Sequence, residues 1–261
     1  MMLDQVSGKE TPAITRGIYT AASGMIANEQ AQDAIAHNLA NVNTTGYKQD
    51  IPCFSSFQSL LLQNSSQGHS AVGTLGNGGG VYKLATDYST GAMQKTGNPL
   101  DVALSGDAFL EVQTPQGIRF TRDGSMTMNA QNQLVTVTGG AQVLDSSNRP
   151  ITIPQGAKNI TIGLDGQIKA DGQSVATLGL AGISAADNAT KVGDNMVTVP
   201  QVRPASAGSE VRQGFLETAN TSIVGDMVSM IAVLRAYETD QKMLQTEDDA
   251  TGKAVNDVAK L

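Results

Sequence analysis

The hydrophobic period of this chain changes twice, from seven to two and back to seven, and that switch constrains the fold more than any other feature. From Arg16 to Lys48, Ile18, Met25, Gln32 and Leu39 form one line at heptad spacing, and Ala21, Asn28, Ile35 and Val42 form the line beside it. Asn28 and Gln32 interrupt this seam. Gly17, Gly24, Ala31 and Asn38 make a third, mostly small line. Alanine alone would say only that the segment favours helix. An interior glycine, however, costs on the order of 1 kcal/mol against alanine in a solvated helix, so Gly17 and Gly24 imply a packed face.

The helical pattern breaks at Ile51-Pro52, because a residue before proline is pushed out of the helical region. Asn64 to Gly80, rich in Gly, Ser and Asn, reads as a mobile linker; its glycines match no phosphate-binding fingerprint. From Val81 to about Val211 the period is two. Leu100, Val102 and Leu104 alternate with Asp101 and Ala103, and Ile160, Ile162, Leu164 and Ile168 continue the habit. Asp123-Gly124, Gly139-Gly140, Asp165-Gly166 and Asp171-Gly172 are dipeptides that accept the positive φ of tight hairpins. Near Asn220 the helical period returns: Asn220, Thr221 and Ser222 offer N-caps and Asp226 complements the helix dipole. Ile223, Met230, Tyr237 and Leu244 repeat by seven, with Met227, Leu234 and Gln241 as the partner line.

These patterns predict an α+β fold: long N- and C-terminal helices forming a coiled-coil-like domain, and a central, mostly antiparallel all-β domain. The boundaries are an N-terminal extension over 1–15, helix and turn over 16–63, linker over 64–80, β-domain over 81–212 and C-terminal helix over 213–261. A helix this long cannot bury its stripe alone, so the ends pair. The expected packing residues are Ile18, Met25, Ile35 and Leu39 against Ile223, Met227, Met230, Leu234, Tyr237 and Leu244, with Gly17, Gly24 and Ala31 facing neighbouring subunits. Such marginal stripes predict termini that order only on assembly.

Composition narrows the function. Aromatics make up 4% with no Trp, which suits helical assembly better than a deep ligand pocket. A formal charge of -7 without any run of Lys or Arg argues against nucleic acid or an anionic membrane as partner. Cys53 is the only cysteine, so no intramolecular disulfide or cysteine-based zinc site is possible. His37 and His69 have no ligand-spaced companions, and Asp248-Asp249 are adjacent on a helix, so they point apart. No G-x-S-x-G, H-E-x-x-H or S-x-x-K occurs. The chain is expected to be no enzyme and to need no cofactor, metal or small-molecule substrate. Met1 to Thr15 lacks the apolar core of a Sec signal peptide, and no stretch is apolar enough for membrane insertion.

Asn38-Leu39-Ala40-Asn41 followed by Asn43-Thr44-Thr45-Gly46-Tyr47-Lys48 closely resembles the N-terminal signature of bacterial flagellar rod and hook proteins. Within it, Asn38, Asn41, Thr44, Gly46 and Tyr47 form the family's turn motif. Asn98 to Asp107 and Phe120-Thr121-Arg122-Asp123-Gly124-Ser125 are similar to the family's β-domain; Gln213-Gly214-Phe215-Leu216-Glu217-Thr218-Ala219-Asn220 and Arg235-Ala236-Tyr237-Glu238 are similar to its C-terminal helix region. The resemblance implies a structural subunit of the flagellar basal-body rod, the tubular drive shaft crossing the periplasm, in which terminal helices line the tube. It implies partners among other rod and hook axial proteins, and unfolded passage through the flagellar type III exporter. Leu144 to Pro154 and the tail KMLQTEDDATGKA look most like the proximal-rod member; RQGFLETAN and RAYE look like the distal-rod member. An extracellular or phage-like fibre that binds glycan is the alternative binding reading, and a peptidoglycan hydrolase the alternative enzyme reading.

Overall fold

Both ends of the chain are helical, and the computed structural model describes residues 12–56, 60–64, 70–75, 78–184, 187–193 and 195–258. Helix α1 spans Pro12–Ala40 and α2 spans Ile223–Val258. Proline at the first helical position is preorganised for helix and sacrifices no intrahelical bond, so α1 begins inside the segment expected as an extension; residues 1–11 of that segment lie outside the described residues. Helix α2 carries Asp226 in its first turn and continues through Gly252. At 1.5 Å per residue it is roughly 54 Å long.

The chain divides into two compact units, each discontinuous in sequence. The helical unit comprises residues up to His37, Ile51–Ala85 and Val224 onward. Besides the helices it contains β1 (Asp50–Ser56), β2 (Leu60–Asn64), β3 (Ser70–Leu75) and β4 (Gly79–Thr86). Strands β1 and β4 pair, and β2 pairs with β3 antiparallel, Leu60 opposite Leu75. Ser70–Leu75 and the first two residues of β4, Gly79 and Gly80, are therefore strand where the Gly/Ser-rich composition reads as linker: a pairing partner supplies the backbone hydrogen bonds that side-chain burial would not. Residues 65–69 and 76–77 of that expected linker lie outside the described residues.

The β-unit comprises Asn38–Asp50 and Thr86–Ile223. Its strands are β5 (Met93–Lys95), β6 (Val102–Leu104), β7 (Ala108–Thr114), β8 (Gly117–Thr121), β9 (Met126–Met128), β10 (Leu134–Thr136), β11 (Gln142–Val143), β12 (Ile160–Ile162), β13 (Gln167–Ala170), β14 (Gln173–Thr177), β15 (Leu180–Gly182), β16 (Thr190–Val192), β17 (Met196–Thr198), β18 (Arg203–Pro204), β19 (Val211–Gln213) and β20 (Phe215–Glu217). The largest sheet runs β16-β17-β8-β7-β11-β10-β9, with β15 joining β7 to β18. A second sheet is β12-β13-β14, and β19 pairs with β6 and β20 with β5. The alternation at Ile160, Ile162 and Ile168 is real: these side chains are buried while Thr161 and Lys169 face out. Leu164 leaves the pattern, 62% exposed beside the Asp165-Gly166 turn. In β6 both faces are covered, since Ala103 is buried with Val102 and Leu104.

The hairpin at Asp171-Gly172 has φ of 50° and 84° and joins β13 to β14, Ala170 opposite Gln173. Gly139-Gly140 and Gly166 also take positive φ. Asp123-Gly124 is no hairpin. A Cβ on Gly124 would lie 1.8 Å from the Val102 carbonyl oxygen, so glycine is required there by close approach rather than by turn geometry. Val102, Leu110, Val112, Leu134, Val143, Ile151, Ile168 and Val211 belong to the main core, and Phe109, Phe120, Ile183 and Val197 to a second cluster.

Candidate functional site

Two features of the structure bear on function: the surfaces of the terminal helices and a charge node buried in the β-unit. Within the helical unit, Asn28 Nδ2 donates to Asp240 Oδ2 at 2.9 Å. A Cβ on Gly24 would lie 2.8 Å from Asp240 Oδ2, and one on Gly17 2.6 Å from Glu247 Oε1. Gly17 and Gly24 thus stand opposite α2 side chains of the same chain, making room for the carboxylates of Glu247 and Asp240, and Ala31 has 0% exposure. Ile35 is buried, and Ile18, Met25 and Leu39 are half-buried. A Cβ on Gly78 would lie 2.4 Å from Ser23 Oγ of α1.

On α2, Met230, Tyr237 and Leu244 are half-buried. Their companions differ. Val233, Asp240, Glu247 and Thr251 are the half-buried residues beside them, whereas Met227 (51%) and Leu234 (39%) are exposed. Sequence reasoning missed Asp240 and Glu247 because charged residues do not register as a packing line; the signal was the pair of glycines opposite. Ile223, Val224, Val228 and Ile231 are exposed as well, so the first half of α2 presents an apolar stripe, and α1 exposes Tyr19 and Ile26.

In the β-unit the turn after α1 is built from its own Asn and Thr side chains. Thr44 N donates to Asn41 O at 2.9 Å and Thr44 Oγ1 to Asn41 Oδ1 at 3.0 Å. Asn38 Oδ1 accepts from Tyr47 Oη and from Asp50 N, each at 2.9 Å, and Asn38 Nδ2 donates to Asp50 O. Gly46 takes φ 67°, and a Cβ there would lie 2.4 Å from the Arg122 carbonyl carbon. Thr45 Oγ1 donates to Asp123 Oδ1 at 2.6 Å, and Gly46 N to Glu217 O at 2.9 Å.

Glu217, with 0% exposure, is the centre of this arrangement. Its Oε1 accepts from Lys48 Nζ at 2.6 Å and from Gly91 N at 2.7 Å, and its Oε2 from Arg122 Nη1 at 3.0 Å. Arg122 also donates to the Leu104 and Gly106 carbonyls and lies 4.8 Å from the centre of the Phe109 ring. Lys48 donates to Ser89 O as well. Burial pushes the Lys48 ammonium below its ordinary 10.5, and the Glu217 carboxylate beside it acts in the opposite direction. Lys191 reaches Lys48 O and Asp50 Oδ2, each at 2.7 Å, across the Tyr47 ring. The motif residues Asn38, Asn41, Thr44, Gly46 and Tyr47 come together here. Glu217, Arg122, Asp123 and Lys191 were not predicted, since residues so far apart in sequence carry no local signal of pairing.

Among the described residues no group of three or more His, Cys, Asp or Glu is placed to hold a metal, and no helix is long and apolar enough to cross a membrane. The arrangement offers ion pairing and packing.

Three family models match the chain in order. "Flagella basal body rod protein" matches residues 18–48, "Flagellar hook protein FlgE/F/G D1 domain" matches 103–170, and "Flagellar basal body rod FlgEFG protein C-terminal" matches 212–257. The buried node takes one charged residue from each match: Lys48, Arg122 and Glu217. Among characterised proteins, the flagellar basal-body rod protein FlgG of Borreliella burgdorferi is 36% identical, covering 92% of this chain and 98% of the relative. The rod protein FlgF of Caulobacter vibrioides is 32% identical over 94% of this chain and 98% of the relative. FlgG of Bacillus subtilis is 29% identical over 92% of this chain and 98% of the relative. The chain belongs to the flagellar basal-body rod protein family, and it is a structural protein of the basal body rather than an enzyme.

Proposed function

We propose that this rod subunit polymerises through its terminal helices, α1 and α2 pairing as a coiled coil within each subunit and the exposed apolar stripe of α2 joining neighbours. The single observation that carries this reading is the stripe itself. Val224 (74% exposed), Val228 (63%), Ile231 (52%) and Met227 (51%) lie together on one helix, and such a surface on a subunit of an oligomeric family is an interface awaiting its partner. Intramolecular pairing is supported by the alternating spacing of Met230, Val233, Tyr237, Asp240, Leu244, Glu247 and Thr251, all half-buried, and by the Asn28–Asp240 hydrogen bond.

The neighbours are other rod and hook axial proteins, and the subunit reaches the periplasm unfolded through the flagellar type III exporter. One cysteine forms no intramolecular disulfide, which keeps the chain threadable. The proximal rod is its place, a reading supported by Leu144 to Pro154 and the tail after Lys242. Electron microscopy of basal bodies from a strain lacking this protein tests it. Rod growth halts before the segment that reaches the outer membrane; a halt beyond that segment would make it a distal subunit, and complete rods would end the reading altogether.

A further inference from the structure

The β-unit is closed by two segments that stand outside its two apolar clusters, although Tyr47 and Ala219 within them are buried. Neither buried apolar cluster contains a described residue of 41–49 or 215–220. Both segments are instead held by polar groups. The turn contributes Lys48 and Thr45, strand β20 contributes Glu217, and the core contributes Arg122, Asp123 and the Gly91 amide. The two segments also hold each other directly: Gly46 N donates to Glu217 O at 2.9 Å and Gln49 N to Asn220 Oδ1 at 2.8 Å.

A hydrophobic contact weakens in proportion to what is removed, but a buried charge behaves differently. With Glu217 absent, Lys48 (3% exposed) and Arg122 (1% exposed) lose their shared ion-pair partner, and Lys48 keeps only the Asp87 carboxylate nearby; with the turn undocked, Glu217 keeps Arg122 but loses the ammonium and the Gly46 amide. Each half-docked state carries a buried charge that has lost part of its pairing. We propose that Lys48, Arg122 and Glu217 form a two-ended clasp, in which the turn leaving α1 and the strand leading to α2 dock together, or not at all, onto a β-core that is already folded. The clasp is a cooperative joint between the beginning and the end of the chain. Through it, the order of the residues at the foot of one terminal helix depends on the order of those at the foot of the other.

Hydrogen exchange read by mass spectrometry on the full chain tests this, comparing wild type with Glu217→Gln and Lys48→Met. In Glu217→Gln, peptides covering 41–49 and 213–220 exchange faster together, on the order of a hundredfold, while peptides covering Phe109–Val112 and Leu134–Thr136 keep their protection. In Lys48→Met the same two segments loosen in concert, by about tenfold, because Glu217 retains Arg122. If only the mutated segment loosens in either variant, the two ends are not coupled. If the core peptides lose protection equally, the node belongs to the general fold and is no clasp.

Discussion

Arg122 shows what a single buried side chain demands of its surroundings. Its guanidinium serves the Leu104 and Gly106 carbonyls and the Glu217 carboxylate at once, and a lysine has no planar fork with which to do so. Gly46 is equally tied to its place, since the Arg122 backbone occupies the space of a Cβ. Elsewhere in the β-unit, carboxylates close loops by accepting backbone amides. Asp145 Oδ1 accepts Arg149 N at 2.9 Å and Ser147 N at 2.8 Å, and these bonds, with Arg149 alongside, hold its carboxyl below the ordinary 3.8. A carboxylate with a depressed folded pKa contributes stability above its unfolded value, and that contribution is lost as pH falls through the folded value. Urea melts of Asp145→Asn are expected to show lower stability at neutral pH and a shallower loss than wild type as pH falls below the ordinary 3.8, the two curves converging in acid. Parallel curves would assign the acid loss to other groups.

At the scale of elements, the packing of α1 on α2 is decided by what stands opposite the glycines. A Cβ on Gly24 displaces the Asp240 carboxylate that accepts from Asn28, so Gly24→Ala sets gained helix propensity against that hydrogen bond, whereas Gly24→Leu forces the helices apart at a cost of about 1–3 kcal/mol. Thermal melts followed by circular dichroism at a helical wavelength are expected to show Gly24→Leu losing its helical signal early, with β-unit amides still protected; an unchanged helical melt would remove Gly24 from the packing. The helices and strands such as β6, β12 and β13 were legible in the sequence because each repeats at its own period, and the Asp171-Gly172 hairpin because such a pair suits two successive positive φ values. The second line of α2 was not, since Asp240 and Glu247 pack through small residues and hydrogen bonds rather than apolar area. Ser70–Leu75 was hidden for the opposite reason: the sequence SAVGTL carries a backbone ladder but no alternating hydrophobic pattern. The turn motif was visible by resemblance, yet the Lys48–Glu217 contact at its end spans 169 positions, which no local pattern encodes.

For the whole molecule, the division of labour follows the two units. The β-unit buries two apolar clusters and leaves single apolar side chains such as Val137, Leu164 and Val202 exposed, whereas the helical unit leaves Val224, Met227, Val228 and Ile231 exposed along one helix. Scattered exposed apolar residues are ordinary on a surface; a continuous stripe on one helix supports the proposal that it is the joint between subunits. The most direct measurement places Val228→Asp together with Ile231→Asp in the native chain and quantifies the protein in purified basal bodies. The account predicts a variant whose β-unit is folded, by hydrogen exchange, but which is absent from the rods. Incorporation at the wild-type level would contradict it.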